Sequence, residues 1–197
     1  MTTLAIAIVA HPKRAARAIE LADELGAHIV MDDAEYGDAI NHARAWEWLA
    51  GQGAEWSLAI EDDAVLGERF VERLVECIEA LPTDGVLLAY TGSDSRAKVC
   101  QRVSDAHILA EARGAKVFAL RNVSWGVAIA ARTHHAGEFA QALRTSQVPS
   151  DDTIGYYANT HRIPIYATHP DLVDHEDGGS VLGNGGIGPR RALWFRG

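Results

Sequence analysis

The stretch Trp56-Ser-Leu-Ala-Ile-Glu-Asp-Asp63 decides the fold, because an apolar run leads directly into three acidic residues. A short apolar run bounded by polar residues is typical of a buried strand in an α/β sheet. The carboxyl ends of parallel strands are where such sheets bind ligands. We therefore expect the acidic triplet, Glu61 to Asp63, to lie at a ligand-binding edge.

Strands and helices alternate on both sides of this stretch. Residues 4–10 and 28–31 predict strands, and residues 13–25 between them have helical spacing that ends at Gly26. This β-α-β order indicates that the sheet begins parallel. Further helices are expected at 38–49, 67–81, 106–112, 135–143 and 151–159, the last with Ser150 as N-cap, and further strands at 86–90, 117–120, 125–131 and 163–167. The sequence thus predicts an α/β fold with a mixed, mostly parallel Rossmann-type sheet flanked by helices.

The composition favours a cytoplasmic globular protein. The 197 residues are 48% hydrophobic, enough for a full core. The 18 basic and 27 acidic residues give a net charge of −9, which makes nucleic acid an unlikely partner. No apolar run reaches the roughly 20 residues of a membrane span, and the basic residues follow the first apolar run, whereas in a signal peptide they precede it. Cys77 and Cys100 lack metal-ligand spacing and are interpreted as reduced thiols.

The last 20 residues differ from the rest of the chain. Residues 178–197 contain seven glycines, three arginines and no acidic residue. We expect one catalytic domain over residues 1–177 and a flexible tail over 178–197, anchored by Trp194 and Phe195. A tail of this kind is a candidate lid that brings Arg190 or Arg191 to a phosphate.

Two members of the acidic triplet are candidate metal ligands. In an extended segment Glu61 and Asp63 point to one side and Asp62 to the other. Two carboxylates held close together raise each other's pKa, and a divalent cation such as Mg²⁺ or Mn²⁺ relieves this repulsion. The alternative interpretation is an ordinary acidic turn after a strand.

The stretch LAIEDDAVLGERF, residues 58–70, resembles the acidic motif of GT-A glycosyltransferases, and of the lipopolysaccharide glycosyltransferase family in particular. The resemblance implies a GT-A-like fold in which Glu61 and Asp63 hold Mn²⁺ or Mg²⁺ and Asp62 contacts the ribose or sugar of the donor. The later stretch P-D-L-V-D-H, ending at His175, is similar to the segment that supplies a histidine as third metal ligand in such families.

The same resemblance implies a donor site around the first strands. His11 and Arg14, after the first strand, occupy the usual entry for the nucleotide base and phosphates. Asp32, after the second strand, is expected to bind uracil or ribose. Asn41, with His42 beside it, fits a helix position that faces the donor. Trp125 and Gly126 lie where a glycine lets the backbone approach the donor sugar.

A second acidic pair, Asp151 and Asp152, begins a predicted helix. In inverting GT-A enzymes a carboxylate at such a place is the general base that takes the proton of the acceptor hydroxyl. The alternative is that these acids only cap the helix and compensate its dipole.

The sequence therefore predicts a glycosyltransferase that moves a sugar from a nucleotide-diphosphate donor, with UDP as the expected nucleotide, to a hydroxyl acceptor. The acceptor is left open among a glycan, a lipid-linked sugar, a protein and a modified base. One alternative is a nucleotidyl- or phosphotransferase with an acidic Mg²⁺ site, although the chain has no G-x-x-x-x-G-K-[ST] loop. The other is a non-catalytic module that binds a nucleotide sugar.

Overall fold

The computed structural model describes residues 2–93, 97–176 and 190–197, which form strands and helices in alternation. The strands in these ranges are β1 Leu4–Ala10, β2 His28–Met31, β3 Trp56–Glu61, β4 Ala64–Leu66, β5 Val86–Leu88, β6 Val117–Leu120, β7 Ala128–Arg132, β8 Ile165–Thr168 and β9 Val173–His175. The helices are α1 Ala15–Leu25, α2 Asp38–Ala50, α3 Phe70–Glu79, α4 Ala97–Arg113, α5 Ala136–Thr145 and α6 Ser150–Thr160.

Seven strands form one sheet in the order β2-β1-β3-β7-β5-β8-β6. Five of them run in one direction, and β7 and β6 run against it. This arrangement confirms the predicted fold class at the level of an α/β fold with a mixed, mostly parallel sheet and flanking helices. Strands β4 and β9 pair separately as a small antiparallel sheet beyond the carboxyl end of β3.

The core lies between this sheet and its helices. The central strand β3 is buried along residues 56–60, and α2 packs between the sheet and α5. Trp46 of α2 meets Phe139 of α5 edge to face, with ring centroids 5.1 Å apart. Both rings are fully buried, and burial of each such side chain contributes about 1.5–3 kcal/mol. This packing fixes the start of α2 beside the end of β3. Of the helices in the described ranges, none has both the length and the apolarity to cross a membrane.

Three local expectations are corrected by the structure. Helix α4 spans Ala97–Arg113 instead of the short helix predicted at 106–112. Only Val103, His107 and Ala110 of α4 are buried, so its apolar face is too narrow to give a clear helical period. Helix α6 begins at Ser150 itself, which therefore is not its N-cap. Strand β7 begins at Ala128, so residues 125–127 form the loop before it.

The end of the chain packs against the sheet. Residues 177–189, which carry most of the expected glycine-rich tail, lie outside the described ranges. Residues 190–197 are described, and the amide of Leu193 donates to the carbonyl of Thr91 at 2.8 Å. The bridges Gly92–Ala192 and Asp171–Phe195 continue this contact. The predicted boundary at residue 177 and the flexibility of the tail stay predictions.

Candidate active site

The acidic triplet lies at the edge of the sheet where β1 and β3 end and β7 begins. The amide of Glu61 donates to the carbonyl of Val127 at 2.8 Å, and that of Asp62 donates to the carbonyl of Val9 at 3.1 Å. Asp62 and Asp63 are 3% and 7% exposed. The backbone thus holds three carboxylates in a confined space, where their repulsion must be compensated.

Arg14 compensates two of these carboxylates. Its Nη1 lies 2.6 Å from Asp62 and 2.5 Å from Asp63. The backbone amide of His11 also donates to Asp62 at 2.7 Å. Burial raises the pKa of Asp62 although these donors oppose the rise. Asp62 and Asp63 therefore both contact Arg14. The prediction that Asp62 faces away from Asp63 is wrong, because it assumed an extended backbone and the backbone turns directly after Glu61.

Asp63 also pairs with His175. The sequence resemblance implies that these two residues bind the same metal ion. Pairing of Ala64 in β4 with His175 in β9 brings the two side chains together, with 3.2 Å between Asp63 Oδ2 and His175 Nε2. Burial opposes protonation of His175, but the hydrogen bond and charge of Asp63 raise the pKa of its imidazole. Asp63 Oδ1 and His175 Nδ1 are buried and have no hydrogen-bond partner among the described residues.

Glu61 faces a second histidine that comes from α2. His42 is fully buried, and its Nε2 lies 3.5 Å from one oxygen of Glu61 and 3.5 Å from one oxygen of Asp38. Burial opposes protonation of His42, but Glu61 and Asp38 together raise its pKa. Burial and the charge of Asp63 in turn raise the pKa of Glu61 against the opposing effect of His42. Within the part of the chain that the structure describes, Asp38, His42 and Glu61 are the group of three potential metal ligands that come within 4.8 Å of one another.

The second acidic motif joins this cluster through Asp151. A Cβ atom added to Gly126 would lie 2.9 Å from Glu61 Oε1 and 3.8 Å from the Cβ of Asp151, so a side chain at Gly126 would collide with Glu61. Asp38 accepts from the amide of Ser150 at 3.2 Å, which places a carboxylate at the positive end of α6. The structure thus brings Asp151, the first of the two predicted acids, to Gly126 and Glu61. The amide of Asp152 donates to the side chain of Asp151 at 2.8 Å.

Two residues predicted to bind the donor, Asn41 and Asp32, have contacts within the protein, and their donor-binding roles stay predictions. The side-chain amide of Asn41 is buried and donates to the carbonyls of Ala10 and Val30 at 3.1 and 3.2 Å, so it ties β1 to β2. The carboxylate of Asp32 accepts from the amides of Tyr36 and Gly37 at 2.7 and 3.1 Å, so it shapes the loop before α2.

Asp38 was not predicted as a site residue, and His42 was predicted only as the neighbour of Asn41. Asp38 and His42 are one helical turn apart, so they share a face of α2, and this spacing was the available signal. Their contact with Glu61 is long-range, however, and depends on how α2 packs against the sheet.

A cavity of about 540 Å³ lies between α4, β6 and the loop before β7. Trp125, itself 8% exposed, forms part of its wall, so the cavity adjoins Gly126. Arg102 and Arg121 contribute positive charge to the same wall, with Asn122 and Ser124 as polar neighbours. Its volume falls in the range of sites for small ligands.

Solved structures of low sequence identity are similar to the chain over most of its length. A197 from STIV matches with a TM-score of 0.48 and 15% identity over 89% of this chain and 86% of that chain. A glycosyltransferase involved in the glycosylation of the major capsid of PBCV-1 matches with a TM-score of 0.49 and 15% identity over 89% of this chain and 94% of that one. The CMP:2-keto-3-deoxy-manno-octonic acid synthetase complexed with CTP matches with a TM-score of 0.46 and 11% identity over 85% and 90% of the two chains.

No protein-family model matches the chain, and no curated protein sequence does. Structural similarity at these identities and TM-scores transfers no activity, so the function must be argued from the site itself.

Replacement of Arg14 by glutamine should lower the free energy of unfolding by about 2 kcal/mol, because Asp62 and Asp63 stay buried without their cation. Urea unfolding at neutral pH measures this difference. The matched control is Arg144→Gln, since the Arg144–Glu47 pair is exposed and its loss should cost about 0.5 kcal/mol or less. Equal losses in the two variants would contradict the compensating role of Arg14.

Proposed function

We propose that the protein is a metal-dependent glycosyltransferase that moves a sugar from a nucleoside-diphosphate donor, with UDP as the first nucleotide to test, to a hydroxyl acceptor. The observation that carries the proposal is the convergence of Glu61, the Asp63–His175 pair and Asp151 at one edge of the sheet beside Gly126. Ligands of α/β sheets bind at this edge. Because Gly126 has no side chain, the carboxylate of Glu61 and the side chain of Asp151 can both approach its backbone.

The chemistry of the proposed donor set suits a hard divalent cation, although among the described residues the three ligand atoms that come within 4.8 Å of one another belong to Asp38, His42 and Glu61. Glu61, Asp63 and His175 offer carboxylate oxygens and an imidazole nitrogen, which suit Mn²⁺ or Mg²⁺. The unpartnered Asp63 Oδ1 and His175 Nδ1 show that the pair's hydrogen bonding is incomplete among the described residues. A bound cation would supply charge neutralisation for the leaving diphosphate. His42 and Asp38 would hold Glu61 in position from the other side.

The remaining residues supply binding and proton transfer. In the proposed step the acceptor oxygen bonds to the anomeric carbon, and the bond from that carbon to the diphosphate oxygen breaks with its electron pair going to the diphosphate. The hydroxyl proton passes to the carboxylate of Asp151, which acts as general base. The cavity beside Trp125 adjoins Gly126 and is the proposed acceptor site.

A nucleotidyltransferase is the second candidate. The carboxylates of Glu61 and Asp63 suit a cation on the polyphosphate of either kind of substrate, so this part of the site does not separate the two reactions. The position of Asp151 beside Gly126 favours transfer to a hydroxyl group.

Donor binding is tested by thermal unfolding with UDP, GDP, UDP-glucose, UDP-galactose and CTP, each with and without Mn²⁺. A ligand that binds the folded state alone, at about 100 times its Kd, stabilises it by about 2.7 kcal/mol. We expect stabilisation by a nucleoside diphosphate and its sugar that requires Mn²⁺ and is lost in Asp63→Ala.

The control for this measurement is Glu72→Gln, which removes one exposed carboxylate from α3 and should leave the stabilisation unchanged. Stabilisation by CTP without any effect of the diphosphates or their sugars would favour the nucleotidyltransferase. No stabilisation by any nucleotide would refute both candidates in their metal-dependent form.

Catalysis is tested by the pair Asp151→Asn and Asp152→Asn. Loss of a general base lowers kcat by about 10² to 10⁴-fold, so Asp151→Asn should lose this much while it still shows the Mn²⁺-dependent stabilisation by donor. Asp152→Asn should lose less than about tenfold. A larger loss in Asp152→Asn than in Asp151→Asn would move the base to Asp152.

Arg121→Gln is the complementary variant for the acceptor site. Because Arg121 lines the cavity and has no part in the proposed proton transfer, its replacement should raise the KM for the acceptor and leave kcat and donor binding nearly unchanged. An unchanged acceptor KM would argue against the cavity as the acceptor site.

A further inference from the structure

A buried carboxylate outside the candidate active site joins the end of β5 to the end of the chain. Asp171 has no exposed surface. Its Oδ1 accepts from the amide of Thr91 at 2.7 Å, and its Oδ2 accepts from the amide of Trp194 at 2.9 Å. The hydroxyl of Thr91 also contacts this carboxylate, at 2.9 Å.

Hydrogen bonds continue from this carboxylate to the surface. Thr91 Oγ1 lies 2.9 Å from His107 Nε2, and His107 Nδ1 lies 2.9 Å from His169 Nδ1. His169 Nε2 lies 2.7 Å from the carboxylate of Glu111, which is half-exposed. The five residues that form this Asp171–Glu111 chain are Asp171, Thr91, His107, His169 and Glu111.

The number of protons that satisfies every contact of the Asp171–Glu111 chain can be counted. Four contacts join the five residues, and each needs one proton between its two heavy atoms. In one arrangement Asp171 is ionised, the Thr91 hydroxyl donates to it, and His169 is an imidazolium that donates to both His107 and Glu111. In the other arrangement Asp171 is protonated, every donor points toward Glu111, and both imidazoles are neutral. The two arrangements contain the same four protons and differ by a shift of one proton across each of the first three contacts, since the proton between His169 and Glu111 stays on His169.

Removal of one proton leaves three protons for four contacts. With Asp171 ionised and both imidazoles neutral, the three inner contacts are still satisfied, and two lone pairs face each other where His169 meets the half-exposed Glu111. Burial raises the pKa of Asp171 to about 7, and burial with the charge of His169 lowers the pKa of His107 to about 4. The four-proton state is thus favoured on the acid side of neutrality.

The Asp171–Glu111 chain holds residues 190–197 in place. Besides the bond from the Trp194 amide, the indole of Trp194 stacks on His107 with centroids 5.7 Å apart and planes 10° apart. Arg196 pairs with Glu111 at 3.1 Å. The same segment reaches the candidate site, because the amide of Ala192 donates at 2.7 Å to Asp174, the neighbour of His175 in β9.

We propose that docking of residues 190–197 is linked to protonation of the Asp171–Glu111 chain. In its four-proton state the chain holds this segment against the domain, and the docked segment stabilises β9. Asp171 and His107 are positioning residues in this proposal, since they act on the site only through the segment. Among the described residues, Asp174 contributes negative charge near Asp171, and Arg196 contributes positive charge beside Glu111.

The linkage is tested by amide hydrogen exchange of residues 191–197 in the full-length protein between pH 6 and 9, normalised to the intrinsic rate at each pH. Above the pKa of the Asp171–Glu111 chain, protection of these amides should fall by up to about tenfold per pH unit, because docking then requires uptake of one proton. Protection of α2 should stay constant over the same range. Constant protection of residues 191–197 would overturn the proposal.

Two exposed variants sharpen the test in opposite directions. Glu111→Gln removes a negative charge that stabilises the extra proton, so the midpoint should move to lower pH. Arg196→Gln removes a positive charge beside Glu111, so the midpoint should move to higher pH. Shifts in the same direction in both variants, or no shift in either, would overturn the proposal.

Thr91→Val removes the central hydroxyl. Asp171 stays buried and loses a donor that favours its ionised form, so the midpoint should move to higher pH. An unchanged midpoint in Thr91→Val would contradict the role of this hydroxyl in the Asp171–Glu111 chain. All of these readouts are independent of nucleotide binding and transfer, so their outcome is separate from that of the proposed glycosyltransferase activity.

Discussion

The candidate site depends on the crowding of negative charge where β3 ends. Glu61, Asp62 and Asp63 are consecutive, and the sheet fixes their backbone, so they cannot move apart to relieve their repulsion. Relief comes from three other elements: Arg14 precedes α1, His42 belongs to α2 and His175 belongs to β9. The packing of these elements around one edge of the sheet is therefore tied to the charge of the triplet, and a divalent cation would enter an environment already arranged for positive charge.

The sequence alone predicts the parts of this arrangement that depend on local pattern. The apolar run before Glu61 identifies β3, the β-α-β order at the start of the chain identifies the parallel half of the sheet, and His175 stands out by its place in a short motif. Arg14 is identified as a site residue, but its pairing with Asp62 and Asp63 depends on residues about 50 positions apart. The structural use of Asn41 and Asp32, and the role of Asp38, are hidden for the same reason. Helix α4 is predicted only in part, at 106–112, because its exposed face carries Ile108 and Leu109, which obscure the period of its buried face.

The end of the chain links the two polar clusters of the molecule. Asp174 receives the amide of Ala192 and lies 3.3 Å from Arg191, while its neighbour His175 contacts Asp63. Asp171, three residues earlier, anchors Trp194. One short segment of backbone, residues 171–175, thus carries both the buried end of the Asp171–Glu111 chain and the histidine of the candidate metal site. Order in residues 190–197 and order around His175 are expected to change together, since they share β9 as a support.

The proposed function requires that the carboxylates after β3 form a cation site that serves a nucleotide substrate. The decisive measurement is anomalous diffraction from a crystal grown with Mn²⁺ and UDP. We predict an Mn²⁺ peak within about 2.5 Å of ligand atoms of Glu61, Asp63 and His175, with the diphosphate of UDP on the same ion. Mn²⁺ bound elsewhere with this edge of the sheet empty, or UDP bound at a distance from the triplet, would contradict it.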